Sequence, residues 1–279
     1  MYLCREGENE ELRYSLRSLA NLPHDRVWIF GGAPEWVRGA LLVATDQRDT
    51  KYRVTTRALR TACEHPSVSD PFLLFNDDFY ILRPIDEIPV LHRGPVAAVL
   101  RQYRERWGGT SQYSKGMAQT LALLKRLGHA RPLSYEVHVP LTIHKAAMLK
   151  ALEIGEASGI RVLHKRTLYG NLAHVGGRLI GDCKISKRQA RTPIKGPWLS
   201  SSDGTFEGFE RFLRSRFRES SPYEPPGLPP VAPAADQPGM YVIGSRYYAT
   251  HESGRRVLLH AAGAIVPEAE AVRLGLIAR

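Results

Sequence analysis

Two adjacent carboxylates, Asp77 and Asp78, follow Asn76 between two apolar runs, Phe72–Phe75 and Phe79–Leu82. A bare Asn-Asp-Asp reads most simply as a turn or a helix cap, since these side chains bind nearby backbone N–H groups. The apolar segments on both sides shift the reading towards function, because a buried carboxylate pair needs a cation or strong donors. Two Asp at the end of a buried strand suit one hard divalent cation, whose remaining positions go to water and phosphate oxygens. His138 lies in an extended segment two residues before Pro140, and Lys145 opens the helix that follows. A histidine so placed is a general base or a phosphate ligand, or else a half-buried residue hydrogen-bonded to backbone. His144, beside Lys145, reads as a surface residue. Lys165 and Arg166 form a basic pair, which is either a solvated face or a diphosphate grip.

The elements that would position these groups alternate. A short strand, "MYLC", precedes an amphipathic helix with Leu12, Leu16 and Leu19 at i, i+4, i+7, acidic residues in its first turn and Pro23 as its stop. "DRVWIFGG" and "ALLVAT" read as strands, with "APEWV" between them as a turn anchored by Trp36. Residues 50–65 read as a helix, and "PFLLFN" as a fourth strand. Alternation with short connections predicts an α/β fold, a mostly parallel Rossmann-like sheet with flanking helices. Asn76, Asp77 and Asp78 then sit at the carboxyl end of a central strand, where ligands of such sheets bind. After "ILRPIDEIPVLHRGPV", 81–96, the pattern loosens; "RVLHKRTLYGNLAHVGG", 161–177, begins as helix and ends at glycines, and helices are expected over 110–129, from about Lys145 and over 205–218. The last is basic and amphipathic, with Phe206, Phe209, Phe212 and Leu213 on one face.

Residues 219–239, "ESSPYEPPGLPPVAPAADQPG", predict an extended Pro-rich linker. The expected organisation is a catalytic domain over 1–218, the linker, and a small α+β module over 240–279 comprising a hairpin and a short helix after Pro267. No internal repeat is evident.

Hydrophobic residues make up 43% of the 279-residue chain and charged residues 24%, which excludes global disorder. The net charge of +11 favours anionic partners, although an Arg-rich soluble surface gives the same balance. The three cysteines are widely spaced and form no zinc or disulfide pattern, so reduced thiols in a cytoplasmic protein are expected. No signal peptide or transmembrane run is evident. Neither GxGxxG nor a P-loop, GxSxG or HExxH occurs, so nothing supports a dinucleotide fingerprint, an NTPase, a serine hydrolase elbow or a zincin.

Several segments, in order, resemble one family. "NEELRYSLRSLANLPHDRVWIFGGAPEWV", 9–37, and "LLFNDDFYILRPI" are similar to signature segments of the Stealth family, sugar-phosphate transferases of bacterial capsule synthesis with lysosomal GlcNAc-1-phosphotransferase as a eukaryotic relative. "VHVPLTIHKAAMLKAL" is similar to that family's H-x-P-x-x-x-x-K-x-x-M block. "HKRTLYGNL" matches its Arg-containing segment loosely, and "KGPWLSSSDGTF" its last block faintly. The family's longer opening strand is shortened here to "MYLCREGE".

The resemblance implies a transferase using a nucleotide-diphosphate sugar with Mg²⁺ or Mn²⁺. Asp77 and Asp78 would hold the metal–diphosphate or donor sugar, and His138 would be the acid or base. Arg166 would clamp phosphate, and Asn9, Arg13, Asn76 and Lys145 would bind substrate. Asn9 and Arg13 share a helix face, although Arg13 also suits a surface pair with Glu10. The chain further resembles short proteins encoded by actinobacterial phages and commonly called glycosyltransferases, and its end resembles a small module appended to phage proteins. That implies a host-cytoplasmic enzyme with a glycan or protein acceptor, and virion proteins as partners of the C-terminal module. The competing expectation is a non-catalytic phage or nucleic-acid-binding protein that uses its basic surface.

Overall fold

In the computed structural model, the run that carries the carboxylates is the fourth strand of a five-stranded sheet. The structure describes residues 1–7, 9–185, 196–201, 204–225, 231–234, 237–244, 247–250, 256–261, 263–274 and 276–277. Parts of the 219–239 segment, of the "KGPWLSSSDGTF" block and of the C-terminal module lie outside these residues. The chain divides into two units, Met1–Glu219 and Ser220–Arg279.

The first unit begins with β1 (Tyr2–Cys4) and α1 (Glu10–Ser18), which ends in a 3₁₀ turn, Leu19–Asn21. Asn9 caps α1, its Oδ1 accepting from the Leu12 N–H at 2.9 Å. Glu10 and Glu11 in the first turn suit the positive end of the helix. Leu12 and Leu16 are buried. Next come β2 (Trp28–Gly31), β3 (Leu41–Ala44), α2 (Lys51–Glu64), β4 (Phe72–Asn76) and β5 (Phe79–Ile81). There follow β6 (Leu91–His92), α3 (Val96–Trp107), α4 (Gln112–Arg126), β7 (Leu141–Ile143), α5 (Lys145–Ala157) and α6 (Lys165–Leu172). The unit ends with β8 (Arg178–Leu179), β9 (Trp198–Ser200) and α7 (Phe206–Arg216).

The main sheet runs β3-β2-β1-β4-β7. Its first four strands are parallel and β7 is an antiparallel edge. The fold is therefore α/β, with a mostly parallel sheet flanked by helices. Phe30 and Leu74 from the sheet pack with Leu59 of α2, Leu152 of α5 and Leu168 of α6 in one core. The strand order reverses between β1 and β4, where Leu3 lies opposite Asn76. That reversal opens a crevice at the carboxyl ends of the two strands. Two small pairs complete the unit, β5 antiparallel to β9 and β6 parallel to β8.

The helix α3 lies where the sequence pattern loosens. Its buried Val96, Val99 and Leu100 pack on Met117 of α4. Gly108 closes it in the left-handed conformation, φ 71°.

In the second unit, β10 (Val231–Pro233), β11 (Met240–Ile243) and, after them, β12 (Tyr247–Thr250), β13 (Arg256–His260) and β14 (Ile265–Pro267) precede α8 (Glu268–Arg273). β10-β11-β14 form an antiparallel sheet and β12-β13 a hairpin. Ile243, Val266 and Ala271 are its buried core. β10 falls within the stretch expected to be an extended linker. Its proline is tolerated because β10 is an edge strand.

Candidate active site

Asp77 and Asp78 leave β4 into a turn at the crevice between β1 and β4, and their surroundings differ. Asp77 accepts at Oδ2 from Asn9 Nδ2 at 2.7 Å. Asn9 thus joins the N-terminus of α1 to the end of β4. Burial, and after it the charge of Asp78, push the Asp77 carboxyl up to about 6, against the pull of the Asn9 hydrogen bond. Asp78 is 8% exposed. Its Oδ2 lies 3.3 Å from Lys184 Nζ and accepts from Ser200 Oγ at 3.0 Å. Its Oδ1 is buried and meets no hydrogen-bond donor among the described residues. An orphaned carboxylate oxygen is costly, and a hydrogen-bond donor or a cation would satisfy it.

His138 sits in the segment between α4 and β7. Its Nδ1 lies 2.7 Å from Asp182 Oδ1. Arg93 Nη1 lies 3.2 Å from the other Asp182 oxygen. Burial opposes the charge on Asp182, but the His138 hydrogen bond and the charges of His138 and Arg93 outweigh it and hold the carboxyl at about 2. The His138 ring meets Phe79 edge-on, centroids 6.2 Å apart.

The opposite wall comes from the start of α6. Arg166 donates from Nη2 to the Val139 carbonyl. Its guanidinium lies 5.6 Å over the Phe79 ring, and its Nε is buried with no partner among the described residues. Lys165 donates to Thr55 Oγ1 at 3.0 Å. Burial lowers the Lys165 ammonium to about 8, Arg166 adding to the fall and Glu136 opposing it. Burial raises the Glu136 carboxyl, yet His164 when protonated, with the cations Arg166 and Lys165, outweighs this and leaves it below the usual range, while burial lowers His164 itself. These buried charges compensate one another, which is the condition for keeping them charged.

Asn76, Asp77, Asp78, His138 and Arg166 all line one cleft of ≈ 260 Å³. Arg5, Lys51, Lys165 and Lys184 also face it. An adjoining cavity of ≈ 690 Å³ is lined by Asn9, Glu10, Gln47 and Phe206, and shares Asp77, Arg5, Glu11 and Lys51 with the cleft.

Two expected residues lie elsewhere. Lys145 donates from Nζ to the carbonyls of His65 and Val68, at 2.7 and 3.1 Å, and so ties α5 to the loop after α2. Arg13 binds Glu10 through Nε at 2.9 Å and stacks on Trp36, 4.1 Å from the ring centroid. This is the surface pairing that its spacing allowed. Conversely, Asp182, Lys184, Ser200 and Glu136 reach the expected site residues without having been singled out. Glu136 stands two residues before His138, a signal that was available. Asp182, Lys184 and Ser200 come from short irregular or two-stranded segments with no periodicity to mark them.

The donor set fits a hard divalent cation. It offers two adjacent carboxylates, one with an orphaned buried oxygen, and Asp77 keeps its proton unusually long. Among the described residues no group of three or more His, Cys, Asp or Glu could hold a metal ion. Such a cation would therefore take one or two protein carboxylates and complete its shell with water and phosphate oxygens, the habit of Mg²⁺. Thiolate chemistry is disfavoured at Cys4, whose Sγ accepts from Asn9 at 3.6 Å. Burial, then the charge of Asp77, push that thiol up to about 12.

In comparisons with known proteins, no family model matches the chain and no curated protein matches it. What the fold and cleft define is a class: an α/β protein with carboxylates, a histidine and several cations gathered where its strand order reverses. No helix of the described residues is long and apolar enough to cross a membrane.

Proposed function

We propose that this chain is a nucleotide-sugar-dependent transferase, moving a sugar or a sugar-1-phosphate from a nucleotide-diphosphate sugar to a glycan or protein acceptor. The observation that carries this reading is the convergence of Asp77, Asp78, His138 and Arg166 on one cleft at the carboxyl ends of β1 and β4. The resemblance to Stealth signature segments names these same four residues. A Rossmann-like nucleotide-binding sheet is part of the proposal.

In this reading Arg166, Lys165 and Lys184 take the diphosphate. Arg166 is suited to it because a planar guanidinium binds phosphate bidentately. Asp77 and Asp78 would hold the divalent cation, which when bound neutralises the leaving diphosphate. Ser200 and Lys184 fix the Asp78 rotamer, and Asn9 fixes that of Asp77. His138 handles the proton of the acceptor. The acceptor has room in the larger cavity beyond Asp77.

The test is a donor screen. Incubation with UDP-, GDP- and TDP-sugars and Mg²⁺ or Mn²⁺ releases nucleoside diphosphate if a sugar moves, and nucleoside monophosphate if a sugar phosphate moves. Asp77→Asn and Asp78→Asn abolish the release. The reading is overturned if no donor is turned over with any glycan or protein acceptor, while both variants bind DNA more tightly than the parent. That pattern belongs to a charge-driven nucleic-acid binder.

A further inference from the structure

We infer that Asp182 and Arg93 are positioning residues that fix His138 as a base protonated on Nδ1, so that proton transfer in the cleft runs through Nε2. The identity of the proton taken rests on the transferase reading; the geometry does not. A neutral imidazole carries one N–H, and an ionised carboxylate only accepts. With Asp182 Oδ1 at 2.7 Å from Nδ1, the hydrogen of neutral His138 belongs on Nδ1. The same oxygen accepts from the His138 backbone N–H at 3.3 Å, so one carboxylate fixes both the ring and the segment that bears it. Arg93 Nη1 lies 3.2 Å from the other oxygen as an ion pair, without hydrogen-bond geometry, and its charge helps to keep Asp182 ionised. Phe79 closes one side of the ring, with planes at 86°.

The side chains of Arg93, His138 and Asp182 are 12%, 19% and 20% exposed, so the trio is sheltered from water. Nε2 has no hydrogen-bond partner among the described residues, and His138 lines the cleft with Asp77, Asp78, Glu136, Arg166 and Lys184. The step is then balanced. The acceptor oxygen bonds to the donor's electrophilic atom, C1 or the β-phosphorus, as its proton passes to Nε2. The electron pair of the broken bond leaves on the nucleoside diphosphate or monophosphate. Asp182 stays a carboxylate throughout, stabilising the imidazolium that forms.

The experiment pairs spectroscopy with kinetics on the full chain. Long-range ¹H–¹⁵N spectra of the ¹⁵N-labelled protein, with His138 assigned through His138→Gln, read which ring nitrogen bears hydrogen above the histidine titration. The expected result is a protonated Nδ1 and a bare Nε2. In Asp182→Asn the amide presents an N–H₂ to Nδ1 and the ring moves to the Nε2–H tautomer. There kcat falls by about 10²- to 10⁴-fold, the range of a general base, while donor KM stays within about twofold, because Asp182 is placed against the proton and not the donor. Arg93→Gln, with Asp182 still present, shows a smaller fall in kcat and a shifted pH profile. An Nε2–H tautomer in the parent overturns the inference. So does a folded Asp182→Asn with unchanged kcat, and if that variant fails to fold, the parent spectrum and Arg93→Gln decide. If the tautomer is as inferred but no donor is turned over, the positioning assignment stands and the transferase reading falls.

Discussion

Asn9 spends one end of its amide on the first helix and the other on Asp77. Oδ1 accepts from Leu12 N at 2.9 Å, while Nδ2 donates to Asp77 Oδ2 at 2.7 Å. Asn9→Ala removes both bonds, together with the Nδ2 donation to Cys4 Sγ. Loss of the cap costs about 1 kcal/mol, seen as a lower urea midpoint, and the Asp77 titration moves further up. Asn9→Asp keeps the cap but adds a third carboxylate beside Asp77 and Asp78. It retains most of the stability and loses turnover. If both variants have the same midpoint and the same activity as the parent, the link between α1 and Asp77 has no consequence.

The two perturbed aspartates give stability opposite slopes with pH. Asp77 rises from 3.8 to about 6 on folding, so between those values the native state binds more protons than the unfolded chain. Its contribution is favourable below this window and is lost as pH rises through it. Asp182 falls from 3.8 to about 2, so its contribution is present above 3.8 and is lost as pH drops towards 2. Urea unfolding between pH 2 and 7 should show both limbs. Asp77→Asn removes the decline above pH 4, and Asp182→Asn removes the acid-side rise. A parent curve with no decline between pH 4 and 6 would contradict the placement of Asp77.

A divalent cation bound to the native state alone stabilises it by mass action, about 2.7 kcal/mol at one hundred times its Kd. Millimolar Mg²⁺ or Mn²⁺ is therefore expected to raise Tm and to flatten the decline attributed to Asp77. Asp78→Asn abolishes the effect, because it replaces the orphaned Oδ1 and halves the charge of the pair. An unchanged Tm for the parent with either metal argues against a cation at the pair in the donor-free protein.

The position of α6 depends on a glycine. A Cβ on Gly170 would lie 2.4 Å from the Tyr135 ring, a contact no side chain tolerates, so α6 would have to move. Gly170→Ala is expected to cost about 1–3 kcal/mol by overpacking. It should also raise donor KM, since Arg166 lies one turn earlier on the same helix. Gly181→Ala meets nothing within 4 Å and serves as the neutral comparison in both measurements.

Lys145 separates stability from chemistry. Lys145→Met strips the hydrogen bonds to His65 and Val68 and lowers the denaturation midpoint. Donor KM and kcat stay as in the parent, because the ammonium points away from the cleft. A large KM change at unaltered stability would restore Lys145 as a substrate ligand.

Legibility in the sequence followed periodicity. Strands β1 to β4 and the helices α1 and α2 are plain from apolar spacing and their Pro, Gly and acidic punctuation, so Asp77 and Asp78 could be placed at a strand end. α3 carried a usable signal too, Val96, Val99 and Leu100 at helical spacing, but its charged second half, "RQYRERW", obscured it. The spacing of Asn9 and Arg13 fitted a shared face, yet only one turns to the carboxylates, because Glu10 and Trp36 draw Arg13 away. The partners of the named residues were not legible. Asp182 to His138 and Ser200 to Asp78 are pairings across 44 and 122 residues, made by irregular chain that carries no period. In the second unit, Pro composition pointed to an extended linker, but Val231 and Ala232 find partners in β11 as an edge strand can.

The pairing of β5 with β9 has a consequence for how the molecule matures. The central sheet is complete once β7 has been made, at Ile143, yet Asp78 waits for Lys184 and Ser200. A chain emerging from the ribosome thus builds its scaffold well before its carboxylate pair is neutralised on the protein side. The β5–β9 closure is a late, long-loop event of the kind that slows folding. Until it occurs, the emerging chain holds two acidic groups side by side with neither of these partners.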